Sequence, residues 1–162
     1  MTRELLTGWG RTQPSVADVI DVADRGELVS AVKDAGPRGV LARGLGRSYG
    51  DAARNAGGLV VRGHGSPNEV VVRSWRAEAS VPAGLSIDDL LRVIVPQGFF
   101  VPVTPGTRFV TIGGAIASDI HGKNHHRDGS FGAHVIAMQL LLADGTVADV
   151  GPDKDAALFW AT

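Results

Sequence analysis

Ala42-Arg43-Gly44-Leu45-Gly46-Arg47-Ser48-Tyr49-Gly50-Asp51 gathers three glycines, two arginines and a serine behind Val40–Ala42, which reads as a short buried strand. Glycines at this density let consecutive backbone N–H groups converge as an anion nest, and the arginines add charge complementarity for a phosphate. A glycine-rich surface turn is the other reading of the same residues. A dinucleotide fingerprint fails on context. Gly44, Gly46 and Gly50 lack the G-x-G-x-x-G spacing, and Asp51-Ala-Ala-Arg-Asn-Ala-Gly-Gly58 makes a poor amphipathic helix. No Gly-Lys-Ser/Thr follows, which excludes a Walker A loop. A phosphate here is expected to be held by a loop, not by the start of a long helix.

A second glycine segment runs from Pro105-Gly106-Thr107-Arg108 into Thr111-Ile112-Gly113-Gly114-Ala115-Ile116-Ala117-Ser118-Asp119-Ile120-His121-Gly122. Thr111 is positioned to cap a short helix with Gly113 and Gly114 in its first turn. Free N–H groups at such a start attract an anion. Close packing of a small-residue helix explains the same composition. Two such loops in one chain favour an extended diphosphate ligand. Beyond them lie Lys123, Asn124, His125, His126 and Asp128. Gly122 and Asn124 disfavour a helix that would join His121 to His125, so no metal is expected there. Lys123 is either a solvated charge or a group that stabilises an anionic oxygen.

Working outward, Val16–Ile20 reads as a strand after a flexible start, and Asp24 with Glu27 signals a helix carrying Leu28, Val29, Ala31 and Val32. Leu59–Val61, Val70–Arg73 and Ala77–Val81 are further strands. Ser86 with Asp89 caps a helix through Leu90, Leu91, Val93 and Ile94. Phe99–Val103 fits an edge strand because of its proline. Val135–Leu142 and Thr146–Val150 form a hairpin about Asp144-Gly145. Asp153 or Asp155 starts a last helix through Leu158, Phe159 and Trp160, whose apolar end at Thr162 lacks a stop signal.

Composition narrows the classes. The 162 residues are 44% hydrophobic and 20% charged, so a packed core is expected and disorder is not. Net charge is −1, from 16 basic and 17 acidic residues, which does not suit a nucleic-acid surface. There is no cysteine, hence no disulfide, thiolate metal site or thiol nucleophile. No signal-peptide pattern or membrane-spanning run is seen, so a soluble globular chain is expected. The 22 glycines are about twice the usual share.

The motifs at 42–51, 105–108 and 113–126 together closely resemble the decaprenylphosphoryl-β-D-ribose 2′-oxidase family of actinobacterial cell-wall synthesis. That family is a branch of the vanillyl-alcohol-oxidase, or PCMH-type, flavoproteins. Leu6-Thr-Gly-Trp-Gly-Arg11 and Leu158-Phe-Trp-Ala-Thr162 match it as well. The resemblance implies an α+β, two-lobed FAD-binding domain with the cofactor between the lobes. On that reading residues 1–15 are an extension, 16–75 the first lobe and 76–162 the second. It also implies that the chain is the N-terminal portion, incomplete at its C-terminus, with a substrate domain beyond Thr162 and little activity alone.

Carried over residue by residue, Arg43, Gly44, Leu45, Gly46, Arg47, Ser48, Tyr49, Gly50 and Asp51 wrap the FAD diphosphate. Gly106, Thr111, Ile112, Gly113, Gly114, Ser118, Asp119, Ile120 and His121 continue the cofactor wall. Tyr49, His121 and Lys123 approach the flavin and the substrate. The implied reaction is hydride transfer from the ribose C2′ of a polyprenyl-phosphate sugar to flavin N5. A partner short-chain reductase would complete the epimerisation, and a separate C-terminal polypeptide is a further expected partner. Arg47 stands where several relatives carry a histidine bonded to the flavin, so the FAD is expected to be non-covalent. Another sugar-alcohol or lactone oxidase of this fold, and a non-catalytic flavin-binding module, are the alternatives.

Overall fold

The chain begins with a strand, not the flexible start expected from its sequence. In the computed structural model, which describes residues 1–162, β1 (Thr2–Leu6) pairs antiparallel with β2 (Ser15–Val22). The signal is weak locally because only Leu6 of this strand is buried; the ladder to a distant partner makes it a strand. Helix α1 (Arg25–Lys33) follows, with the Asp24 carboxylate accepting from the Glu27 N–H at 2.9 Å. The chain then enters β3 (Val40–Ala42) and β4 (Leu59–Gly63), and β4 lies between β2 and β3, parallel to both. The order is β1-β2-β4-β3, over a core of Leu6, Ala17, Val19 and Val60.

These elements form one of two compact units, Met1–His64 with Gln139–Ala148; the other is Gly65–Met138 with Asp149–Thr162. The division falls after β4, and β1 belongs to the first unit.

In the second unit β5 (Val71–Arg73) and β6 (Glu78–Ser80) form a two-stranded ladder. Helix α2 (Ile87–Ile94) is capped by Ser86, whose hydroxyl accepts from the Asp89 N–H at 3.0 Å. Helix α3 (Ile112–Ala117) is followed by the single turn α4 (His125–Asp128). Leu85, Ile87, Leu90, Ile94, Val101, Val103, Ile112, Ala115 and Phe131 make the core. Phe99–Val103 is not a strand. Val101 and Val103 are buried alternately with exposed Pro102, so the apolar pattern is real, but no ladder forms. Pro102 has no N–H to offer one, and its carbonyl accepts from the Asn124 side chain at 3.0 Å.

The hairpin of β7 (Met138–Leu141) and β8 (Val147–Val150) turns at Ala143-Asp144-Gly145, with Gly145 at φ +83°. The Leu142 N–H bonds to the Thr146 carbonyl and the Gly145 N–H to the Leu142 carbonyl, a three-residue turn with a left-handed glycine. Helix α5 (Ala156–Ala161) buries Phe159, but Asp155 gives it no side-chain cap. No helix is long and apolar enough to cross a membrane.

Arg62 on β4 ties three strands of the first sheet together. Its guanidinium bonds Glu4 of β1 at 2.8 Å and Asp21 of β2 at 3.0 Å, and holds both carboxyls below the ordinary carboxylate range. A lowered carboxyl pKa gives stability that is fully present above the ordinary range and is lost as pH falls through the lowered value. Arg62→Gln should therefore reduce the urea midpoint near neutral pH, with the gap to the parent chain closing in acid. A gap of constant size from pH 7 to pH 2 contradicts this role.

Candidate cofactor site

The segment after β3 is a loop, and its hydrogen bonding is unusual. The Arg43 N–H still bonds to the Val61 carbonyl at 2.8 Å. From there on, the N–H groups of Gly44, Leu45, Gly46, Ser48, Tyr49 and Gly50 donate to no other group of the chain. Gly46 and Gly50 are left-handed, at φ +67° and +61°, a conformation that L side chains rarely adopt. A run of unpaired N–H groups turned by left-handed glycines is the geometry of an anion nest, and it fits the diphosphate of a dinucleotide.

The arginines of this loop serve its shape. The Arg43 guanidinium donates to the Thr7 carbonyl at 2.8 Å and to the Ala53 carbonyl, so it joins the two ends of the loop to the segment after β1. Burial, and then the like charge of Arg62, lower its pKa, although an arginine stays charged. This corrects the expectation that Arg43 presents its charge to a phosphate. A Cβ on Gly46 would overlap the Arg43 guanidinium, so this glycine is required by φ and by space together. Arg47 lies over the Trp9 ring with its guanidinium carbon 4.5 Å from the centroid.

Thr7, Gly8 and Trp9 brace the loop from outside. The Trp9 N–H donates to the Ser48 carbonyl at 2.9 Å, and Gly8 packs so closely that a Cβ there would collide with the Gly50 carbonyl. Sequence reasoning did not assign these residues to the site. The available signal was Gly8-Trp9-Gly10, an aromatic between glycines just after β1. Tyr49, at 77% exposure, and Leu45, at 49%, project from the loop. Asp51 lines a cavity with Ser15, Arg38, Arg54, Asn55 and Ala56.

In the second unit the start of α3 is saturated. The Thr111 hydroxyl accepts from the Gly114 N–H at 3.1 Å, the cap expected from sequence. The Ile112 N–H bonds to the Leu85 carbonyl and the Gly113 N–H to the Ala83 carbonyl, each at 2.8 Å. No N–H of the first turn is left for an anion, which corrects the expectation of free donors there. The glycines serve close packing: a Cβ on Gly113 would lie 3.2 Å from the Ala83 carbonyl oxygen. Thr111 and Ile112 are buried, and Ile120 packs against the core. Gly106, Gly114, Ser118 and His121 remain open on the surface.

Beyond α3, Asp119 adopts φ +38° and its carboxylate accepts from the Gly132 N–H at 2.8 Å, fixing the loop. His121 bridges Ser130 and its ring meets His125 edge-on at 5.3 Å. The His125 Nδ1 contacts the Gly122 carbonyl at 3.0 Å, and α4 begins at His125, so His121 is not on that helix. Arg127, and then Asn124, hold the Asp128 carboxyl below its ordinary range. Lys123 is exposed.

Because Gly8 abuts the Gly50 carbonyl, Gly8→Val should cost about 1–3 kcal/mol of stability through overpacking. Urea denaturation measures that cost, and the amide resonances of residues 44–50 should shift while those of α2 and α3 stay in place. Unmoved loop resonances would show that the brace does not shape the loop.

Comparison with known proteins carries the same assignment. The chain is 52% identical over 99% of its length to the decaprenylphosphoryl-beta-D-ribose oxidase of Mycolicibacterium smegmatis, and spans 36% of that protein. It is 50% identical over 48% of its length to an uncharacterized protein in the mprA 5′ region of Streptomyces coelicolor, covering 21% of it. A D-lactate dehydrogenase of Anaerostipes hadrus is 30% identical over 44% of the chain, which covers 15% of that enzyme. The chain thus spans about a third of the length of the first relative and less of the others. The family model for the FAD binding domain matches residues 16–151, which take in β2, the loop after β3 and α3, and the chain belongs to that family.

Proposed function

We propose that this chain is the FAD-binding part of an oxidoreductase that oxidises the 2′-hydroxyl of a decaprenylphosphoryl-ribose. The observation that carries the cofactor assignment is the set of unpaired N–H donors at Gly44, Leu45, Gly46, Ser48, Tyr49 and Gly50, within the span of the family match. Those donors would hold the diphosphate, and Arg43, Gly8 and Trp9 would keep the loop in its binding shape. The substrate rests on the likeness to the Mycolicibacterium smegmatis oxidase. When bound, FAD supplies the hydride acceptor for conversion of the ribose to a 2′-keto sugar.

The chain's own residues would bind and orient. Tyr49 on the loop, and His121 and Lys123 in the second unit, are exposed side chains suited to face a flavin or a sugar; the positive charge of Lys123 would stabilise an anionic oxygen. Gly106, Gly114 and Ser118 would offer contact surface, while Thr111, Ile112, Asp119 and Ile120 would hold that surface in shape. The division into two units is compatible with two FAD-binding lobes. Arg47, in place of a histidine able to bond the flavin, supports non-covalent FAD. The lipid substrate would place the protein in the cytoplasm or at a membrane surface, the periplasmic face included, beside a short-chain reductase and a polypeptide supplying the substrate domain.

The purified chain, mixed with FAD and desalted, should keep flavin absorbance, and acid precipitation should release all of it to the supernatant. Gly46→Asp, which adds a carboxylate at the nest, should lose the flavin. Bleaching of the bound flavin by decaprenylphosphoryl-ribose, but not by soluble polyols, supports the substrate, with the substrate domain supplied as a second polypeptide. Equal flavin retention in Gly46→Asp and its parent would contradict the loop assignment.

A further inference from the structure

The first unit holds a second polar site, distinct from the loop of residues 44–50. A cavity of about 210 Å³ is lined by Ser15, Arg38, Asp51, Arg54, Asn55 and Ala56. Two of its lining residues carry buried polar atoms with no partner, the Ser15 hydroxyl oxygen and the Arg54 Nε. Buried polar groups are almost always satisfied, and a buried guanidinium N–H without an acceptor is costly. Neither Arg38 nor Arg54 enters an ion pair, so the lining carries two uncompensated guanidinium groups beside the single carboxylate of Asp51.

Topology separates this cavity from the anion nest. Ser15 opens β2, Arg38 precedes β3, and Asn55 and Ala56 precede β4. Strands β2, β3 and β4 are parallel, so these starts share one edge of the sheet, while the nest leaves β3 at the opposite edge. The rim is fixed: the Asn55 side-chain amide reaches the Arg38, Gly39 and Leu59 carbonyls, each at 3.2 Å, and the Gly57 N–H bonds to the Val16 carbonyl at 2.8 Å. The space is below the range of roughly 300–1,000 Å³ common for larger organic ligands, and suits a small ion.

We propose that this cavity binds free hydrogen phosphate. The Arg54 Nε–H and the Ser15 hydroxyl would donate to its oxygens, and the Arg38 charge would favour a dianion. Asp51, an acceptor when ionised, selects an oxyanion that carries its own hydroxyl, so hydrogen phosphate should be preferred over sulfate.

The test is a titration of the whole chain with inorganic phosphate, followed by phosphorus NMR, with sulfate at matched ionic strength as the control. The amide resonances of residues 44–50 are followed in the same titration, so that phosphate on the nest cannot be mistaken for phosphate in the cavity. Saturable binding that weakens by about tenfold or more in both Arg54→Gln and Ser15→Ala supports the site. Ser15→Ala removes one hydroxyl and leaves the β2 backbone intact, so it keeps the test decisive if Arg54→Gln fails to fold. Unsaturable association equal for sulfate would mean an adventitious ion only, and overturns the proposal. So would binding that is indifferent to both variants, or that shifts the amides of residues 44–50 and survives Arg54→Gln.

Discussion

A loop that keeps its backbone donors unpaired cannot hold itself together by backbone bonds, and in this chain Arg43 takes that part. Its guanidinium reaches the Thr7 carbonyl before the brace and the Ala53 carbonyl beyond the loop. Ordering a loop in which the N–H groups of Gly44, Leu45, Gly46, Ser48, Tyr49 and Gly50 stay unpaired sacrifices about 1–2 kcal/mol of backbone entropy per residue. Arg43, the Trp9 N–H on the Ser48 carbonyl and the stacking of Arg47 on Trp9 offset that cost from outside the loop. Donors ordered in this way without a ligand are what a preorganised anion site requires.

The second glycine segment solves a different problem. Its first-turn N–H groups are bonded to Leu85, Ala83 and Thr111, and its small residues let α3 approach the segment before α2. Ser86 and Thr111 are both buried, each caps a helix, and they bridge one another in antiparallel fashion. Two stretches of similar composition thus have opposite hydrogen-bond economies. One presents donors, and the other uses them to fix a surface.

What was legible in the sequence follows the range of the interaction involved. Asp24 with Glu27, Ser86 with Asp89, Thr111 with Gly114, and the Asp144-Gly145 turn are local chemistry, and each stands where its sequence signal puts it. β1 and the false strand at Phe99–Val103 depend on a distant partner, present for one and absent for the other, and sequence periodicity cannot see partners. The site shows the same division. The glycines of the 44–50 loop are visible as a nest, but the inward turn of Arg43 and the brace of Gly8 and Trp9 require contacts across more than thirty residues of chain. Ile112 and Ile120 fall inside a glycine-rich motif, yet their apolar side chains belong to the core.

The central claim is that the diphosphate of FAD is held by the loop after β3 and not by the start of α3. Backbone amide NMR of the chain during FAD addition tests it directly. The account predicts large shifts at Gly44, Leu45, Gly46, Ser48, Tyr49 and Gly50, with the amides of Ile112, Gly113 and Gly114 staying protected from exchange with water throughout. Loop amides that do not move, while the α3 amides open and shift, would contradict it.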